Sequence, residues 1–156
     1  MFKQILFPVD ELMFSSRISP QVESIARCQG SEITLLSVGN TSRMIEEAPS
    51  VSDDHLKMMR STLERNLASF ADDLKNKGFK VKWAYREGTP SDEIINYCDE
   101  IGCDLITLAT HDRSEISWLL TSDAEKVATH SKVPVMISRF SDEEPDIYGR
   151  NSFVGP

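Results

Sequence analysis

The sequence predicts one α/β domain built on a parallel β-sheet, and three observations support this prediction. Short, almost entirely apolar runs alternate along the chain with longer stretches in which apolar residues recur every three or four positions. Strands buried on both faces of a parallel sheet give continuous apolar runs, whereas amphipathic helices give the longer period. The chain has 156 residues, of which 40% are hydrophobic and 27% charged, as expected for one globular domain.

Five segments are predicted to be strands. Four of them are apolar runs of the kind that lie in the interior of a parallel sheet. The third differs, because Val81 and Trp83 alternate with lysines, which gives one apolar and one mostly basic face. That alternation is typical of an edge strand, where lysines discourage pairing with another chain. In chain order, the segments are residues 5–9, 33–38, 79–86, 105–109 and 133–137.

Four helices are predicted between the strands. The first is expected to use Ser19 and Pro20 as its N-cap and first turn, and glycines are expected to end the first three. Strands that alternate with helices imply right-handed crossovers and helices on both faces of the sheet. In chain order, the helices span about residues 19–30, 56–78, 89–102 and 122–131, and a long loop over 39–52 precedes the second helix.

Composition limits the possible partners and the compartment. The chain has 17 basic and 25 acidic residues, a net charge of −8, and no basic stripe, so nucleic acid and anionic membranes are unfavourable partners. No apolar run is long enough to span a membrane or to act as a signal sequence, and we expect a cytoplasmic protein. The three cysteines, Cys28, Cys98 and Cys103, show no close-pair spacing and are expected to be reduced, buried thiols.

Five segments occur in an order and spacing that are typical of one protein family. The first predicted strand ends in Asp10, residues 86–90 read Arg-Glu-Gly-Thr-Pro, and residues 104–111 read as a strand that ends in Thr-His. Residues 124–127 and 133–137 follow as a last helix and a last strand. Together these segments resemble the universal stress protein family. The resemblance implies a flavodoxin-like, adenine-nucleotide-alpha-hydrolase-like sandwich with sheet order 3-2-1-4-5. It covers residues 3–139, so the domain is expected at residues 1–139. The segment 140–156 is acidic and contains Gly149, Gly155 and Pro156, and it is expected to be a tail that is either flexible or lies against a partner.

The resemblance also implies a homodimer. Members of the family usually dimerise through the last strand, which corresponds here to Val133, Pro134, Val135, Met136 and Ile137. We therefore expect these residues to form the interface between two copies of the chain. A protein client or regulator is the other expected partner.

Nucleotide-binding members of the family carry a glycine signature after the fourth strand: Gly, two residues, Gly, nine residues, Gly, then Ser or Thr. These glycines let the main chain approach phosphate closely. In this sequence, Ala109, Asp112 and Thr121 stand at the glycine positions, and the longer spacing is one residue short. Only Ser122 matches, so the chain resembles the branch of the family without the signature.

Charge at this loop opposes a polyphosphate. Asp112 brings a carboxylate to the phosphate position, and a like charge ~4 Å away costs about 4 kcal/mol at an effective dielectric of 20. A charge-assisted hydrogen bond returns only ~1.5–3 kcal/mol. A bound Mg²⁺ would reverse this balance, since carboxylates and phosphate oxygens are its usual ligands. Without Mg²⁺ the repulsion exceeds the gain from one hydrogen bond, and we therefore predict that the protein binds no cofactor.

The alternative to a protein without a cofactor is an adenine-nucleotide (ATP or AMP) switch or slow ATPase, with or without Mg²⁺. Its site would lie at the carboxyl ends of the predicted strands. The resemblance suggests that Asp10 and the backbone near Val38 would hold the base, although Asp10 could equally cap a turn. The residues of this alternative site are Pro8, Val9, Asp10, Val38, Ala109, Thr110, His111, Asp112 and Ser122.

No catalytic or metal site is predicted. His111 and Asp112 have serines nearby, but a nucleophile-elbow motif is missing. Asp10 lies where receiver domains carry a phosphoacceptor, yet Arg139 rather than lysine follows the last strand. The histidines and cysteines lack metal-ligand spacing. The predicted function is that of a non-enzymatic stress-response protein acting through dimerisation and protein association.

Overall fold

The computed structural model describes the backbone of residues 1–9, 12–111 and 121–140, and the side chains of residues 1–9, 19–108 and 122–138. Strands and helices alternate in the predicted order, with one additional short helix. The elements are β1 (Gln4–Pro8), α1 (Leu12–Gln29), β2 (Glu32–Gly39), α2 (Thr41–Glu47), α3 (Asp53–Asn76), β3 (Lys80–Glu87), α4 (Pro90–Ile101), β4 (Leu105–His111), α5 (Thr121–His130) and β5 (Val135–Phe140).

The five strands form one parallel sheet in the order β3-β2-β1-β4-β5, which confirms the predicted fold. β1 lies at the centre, where Ile5 pairs with Ile33 of β2 on one side and with Leu105 of β4 on the other. The chain order reverses at β1, and the carboxyl ends of β1 and β4 meet there. In open α/β sheets this position is where ligands bind.

The central strand contributes to a separate core on each face of the sheet. Ile5 and Phe7 pack with α1 and α3, and the ring of Phe7 lies edge-on to that of Phe70, with centroids 6.3 Å apart. Leu6 points to the opposite face, where it packs with Ile94 of α4 and with residues of α5. Successive side chains of a strand alternate between its faces, so burial on both faces requires the continuous apolar run seen in the sequence.

The predicted start of the first helix is wrong. α1 begins at Leu12, and Pro20 lies inside it. Ser19 is not an N-cap; its hydroxyl instead donates to the Glu23 carboxylate at 3.1 Å. Proline removes one intrahelical donor, but Val22 and Ala26 bury the following turns against the sheet, which offsets that loss.

The predicted loop over residues 39–52 contains the short helix α2, so that expectation is also wrong. The Asn40 side chain caps the helix by accepting from the Arg43 N–H at 3.2 Å, and Arg43 pairs with Glu47 one turn later. The seven residues bury no side chain, and the apolar periodicity therefore gave no signal for this helix. Ser52 caps α3, which starts before the predicted Leu56.

The remaining boundaries agree more closely. Pro90 opens α4 and Gly102 ends it in the left-handed conformation, as predicted. β3 is an edge strand, as predicted, although Trp83 is 40% exposed while Val81 is buried. β5 starts two residues later than predicted, because Pro134 has no N–H to donate to the ladder.

The cysteine expectation fails in two respects. Cys98 and Cys103 are buried but form a disulfide, with Cα atoms 5.0 Å apart. Cys28 is a free thiol, but it is exposed on α1. The turn at Gly102 folds the chain back and brings positions five residues apart into contact, which their spacing alone did not suggest.

Two further expectations concern the C-terminal tail and membrane-spanning helices. The acidic tail after β5, residues 141–156, lies outside the described residues. Among the helices that the structure describes, none has the length and hydropathy needed to cross a membrane.

Candidate functional site

The predicted site residues converge on the carboxyl edge of the sheet. Pro8 ends β1, and the N–H of the buried Val9 donates to the Leu36 carbonyl at 2.8 Å, which extends the β1–β2 ladder by one bond. Val38 is buried and precedes Gly39, the last residue of β2. Because β1 lies between β2 and β4, these three strand ends are adjacent. They form an apolar floor at the position where the chain order reverses.

Other predicted site residues are only partly described. Ala109, Thr110 and His111 form the end of the β4 backbone, paired with Ser138, Arg139 and Phe140 of β5. Ser122 is exposed in the first turn of α5, next to Asp123. Asp10 and Asp112 lie outside the described residues. The predicted effect of Asp112 on phosphate therefore stays a prediction from the sequence.

A hydrogen-bonded network that the sequence did not reveal holds the neighbouring ends of β2 and β3. The Tyr85 hydroxyl donates to Glu87 Oε1 at 2.8 Å, and the Thr41 hydroxyl donates to Glu87 Oε2 at 2.5 Å. The Gly88 N–H donates to the Gly39 carbonyl at 2.9 Å. One carboxylate thus connects β3 to the first residue of α2, and α2 is fixed beside the strand ends. We call Thr41, Tyr85 and Glu87 the strand-end network.

The strand-end network depends on a glycine. A Cβ atom at position 39 would lie 2.0 Å from the Tyr85 hydroxyl oxygen and 2.9 Å from Cζ of the same ring. The tyrosine therefore occupies the space of a side chain at Gly39, directly after Val38. A strand-ending glycine is a weak sequence signal, and its partner lies 46 positions away, so sequence reasoning missed this contact.

A profile of the Universal stress protein family matches residues 1–139. The chain belongs to this family. Among its relatives, Universal stress protein MJ0577 of Methanocaldococcus jannaschii is 26% identical over 159 aligned positions, which cover 88% of this chain and 94% of the relative. Universal stress protein G of Shigella flexneri is 26% identical over 143 positions, covering 89% and 100% of the two chains.

Solved structures of universal stress proteins share the same fold. The structure of MJ0577 has a TM-score of 0.76 at 25% identity, covering 91% of this chain and 99% of that one. A universal stress protein from Archaeoglobus fulgidus, solved in complex with dAMP, has a TM-score of 0.60 at 16% identity, covering 87% and 97%. At that identity the second likeness establishes the fold alone.

In this universal stress protein, a cation also contacts the strand-end network. The Arg60 guanidinium of α3 lies 4.7 Å from the centre of the Tyr85 ring, and its Nε donates to Glu64 at 3.0 Å. A guanidinium over an aromatic face is attracted by the ring's negative face. Arg60 thereby connects α3 to β3 at the level where Tyr85 reaches Gly39.

Burial, together with the hydrogen bond to Glu87, raises the pKa of Tyr85 above its usual value of 10.0. Burial is the larger cause, because it disfavours the phenolate. The folded state thus retains the phenol proton at a pH where the unfolded chain loses it. This contribution to stability is complete below about pH 10 and is lost as the pH rises toward the folded-state pKa.

We expect Tyr85→Phe to weaken the loss of stability at alkaline pH. The phenylalanine variant has no phenol to titrate, so its free energy of unfolding should decline less steeply above about pH 10 than that of the wild type. Urea unfolding followed by circular dichroism at about pH 8, 9, 10 and 11 measures the two slopes. Parallel slopes would show that Tyr85 does not carry the effect.

The described part of the chain offers neither a metal-binding cluster nor, at its groove between two helices, any of the predicted site residues. No group of three or more histidine, cysteine or acidic residues is arranged there to hold a metal ion. A groove of about 400 Å³ lies between α1 and α3 and includes none of the predicted site residues. Its lining residues are Ser19, Pro20, Phe70, Asp73, Leu74, Asn76 and Lys77.

Proposed function

We propose that this universal stress protein acts in the cytoplasm as a homodimer that associates with a protein client or regulator, and that it belongs to the branch that does not bind triphosphate tightly. The observation that carries this proposal is the exposed Ile137 on the edge strand β5, which is 40% exposed. Support for the second half comes from the sequence, where Ala109, Asp112 and Thr121 replace the three signature glycines.

The exposed face of β5 is suited to pairing with a second copy. Among the described strands, β5 pairs with β4 alone, which leaves its other side as a sheet edge. An apolar side chain on an unpaired edge favours association with another strand. Two copies related by a two-fold axis would place β5 against β5 and bury Ile137 of each, as in an isologous interface.

The experiment replaces Ile137 with lysine. A charge at this edge cannot be buried without a partner, so we expect the variant to sediment as a monomer under conditions in which the wild type sediments as a dimer. Val135 is a poorer position for this test, because it packs against the core formed with α4 and α5. Sedimentation velocity over a range of protein concentrations measures the shift.

Ile45→Lys is the matched control. Ile45 is the same residue type, is 46% exposed and lies on α2 rather than on β5. The control should sediment as the wild type does. A wild-type chain that is monomeric at all concentrations, or an Ile137→Lys variant that remains dimeric, contradicts the β5 interface.

Adenine-nucleotide binding is the second candidate function. It is favoured by the apolar floor of Val9 and Val38 at the strand ends and by the hydrogen-bonded end of β2 beyond it. Universal stress proteins of the same fold have been solved with dAMP and with cAMP, at 16% and 19% identity to this chain. In this alternative, Pro8, Val9 and Val38 would contact the base and Ser122 a phosphate, with ATP or AMP as ligand. Isothermal titration calorimetry with ATP·Mg²⁺ and with AMP separates the two functions, because only the second function requires tight binding of a nucleotide.

A further inference from the structure

We propose that Cys98 and Cys103 form a reversible dithiol–disulfide couple, and that this couple is a redox modification site at the junction between α4 and β4. The pair lies at the amino-terminal end of β4, away from the carboxyl-edge site and from Ile137. The proposal therefore stands apart from the dimer and the nucleotide hypotheses.

The way that α4 ends explains why the two side chains meet. Gly102 has a φ of 68°, and both its N–H and that of Cys103 are directed at the Cys98 carbonyl, the latter at 3.0 Å. This is a Schellman-type helix ending, in which the side chains before and after the left-handed residue come into contact. Cysteines occupy both of those positions here. Their Cα separation of 5.0 Å lies within the range that a disulfide requires.

The same backbone also accommodates the reduced pair. The Cys98 sulfur lies 3.7 Å from the Cys103 carbonyl oxygen, so its thiol has an acceptor when the disulfide is open. Both side chains lie in the apolar cluster with Ile94 and Ile106, where small uncharged thiols pack well. The turn at Gly102 and the apolar cluster around it can thus hold either redox state, which is what a reversible couple needs.

Burial distinguishes this pair from the third cysteine. Cys98 and Cys103 are 3% and 5% exposed, whereas Cys28 is exposed on α1. A reagent must therefore wait for a local opening of the Gly102 turn before it reaches the pair. Once one of the two has reacted, the other is the nearest thiol, and it resolves the adduct. Cys28 has no such neighbour among the described cysteines and would retain an adduct.

The reaction is an exchange with a low-molecular-weight disulfide such as glutathione disulfide. A thiolate of the pair attacks one sulfur of glutathione disulfide, which forms a mixed disulfide and releases one glutathione thiolate. The second cysteine thiolate then attacks the protein sulfur of that mixed disulfide and displaces the other glutathione thiolate. Two protein thiols are oxidised, one glutathione disulfide is reduced to two thiols, and the two protons pass to the leaving thiolates.

The test uses the full chain carrying Cys28→Ser, so that the pair are the only cysteines. After equilibration with mixtures of reduced and oxidised glutathione, acid quenching and intact-mass measurement, we expect one two-electron transition to a species 2 Da lighter, without a persistent glutathione adduct. The oxidised form should melt about 4–8 °C above the reduced form, because the bond constrains the unfolded chain.

Cys28→Ser combined with Cys98→Ser, or with Cys103→Ser, gives matched controls with one thiol each. These should show no 2 Da loss and should retain glutathione once the thiol has reacted. Peptide mapping of the wild type provides the same information where a variant does not fold. A pair that stays fully reduced in excess glutathione disulfide, that accumulates a stable mixed disulfide, or whose two forms melt together overturns the proposal.

Discussion

Gly39→Ala is expected to lower the free energy of unfolding by about 1–3 kcal/mol, the usual cost of overpacking a well-packed contact. The added Cβ would lie 2.0 Å from the Tyr85 hydroxyl oxygen and 2.9 Å from its Cζ, so the ring has to move. Movement of the ring breaks the 2.8 Å hydrogen bond to Glu87. Gly39 does not have a positive φ, and the cost is therefore steric rather than conformational. Urea unfolding followed by circular dichroism measures it.

A double-mutant cycle with Tyr85→Leu isolates the contact. Leucine keeps an apolar side chain on β3 but does not extend to position 39. In that background we expect Gly39→Ala to cost less than about 0.5 kcal/mol, since mutations that share one contact are not additive. An equal cost of Gly39→Ala in both backgrounds would mean that Tyr85 is not what excludes a side chain at Gly39.

Elements with a strong local pattern were predictable from the sequence. Apolar runs identified four of the strands and alternation identified the fifth, while Pro90 and Gly102 marked both ends of α4. The lysines around Val81 identified the edge strand β3. The strand order came from the family resemblance, because periodicity says which residues are buried but not which strands are neighbours.

Features that depend on distant residues were not predictable. α2 buries no side chain, and Glu87, 46 positions after Thr41, helps to hold it in place. Pro20 lies within α1, where the helix continues on both sides of it, and the following Val22 and Ala26 pack in the core with the central strand. This long-range packing was not visible in the local preference to begin a helix at a proline. The contact between Gly39 and Tyr85 also joins positions far apart in the sequence. Cys98 and Cys103 are only five positions apart, and their contact depends on the conformation of the turn at Gly102.

The second prediction with a large expected effect concerns the affinity for ATP. We expect Asp112→Asn to bind Mg²⁺-free ATP at least tenfold more tightly than the wild type, about 1.4 kcal/mol, since it removes a negative charge from the predicted phosphate position at nearly constant side-chain size. Titration in EDTA and again in Mg²⁺ distinguishes repulsion from metal binding. If Asp112 instead held Mg²⁺, the variant would bind ATP·Mg²⁺ more weakly. Asp72→Asn is the control, because it removes the same charge from an exposed position on α3, outside the predicted site.

The most direct test of the account is isothermal titration of the purified wild-type chain with ATP·Mg²⁺. The sequence, with no signature glycines and with Asp112 at the predicted phosphate position, predicts a dissociation constant weaker than ~10 µM, about −7 kcal/mol. A dissociation constant tighter than that, or ATP that remains bound through purification, would contradict the account and establish this universal stress protein as a nucleotide-binding member of its family.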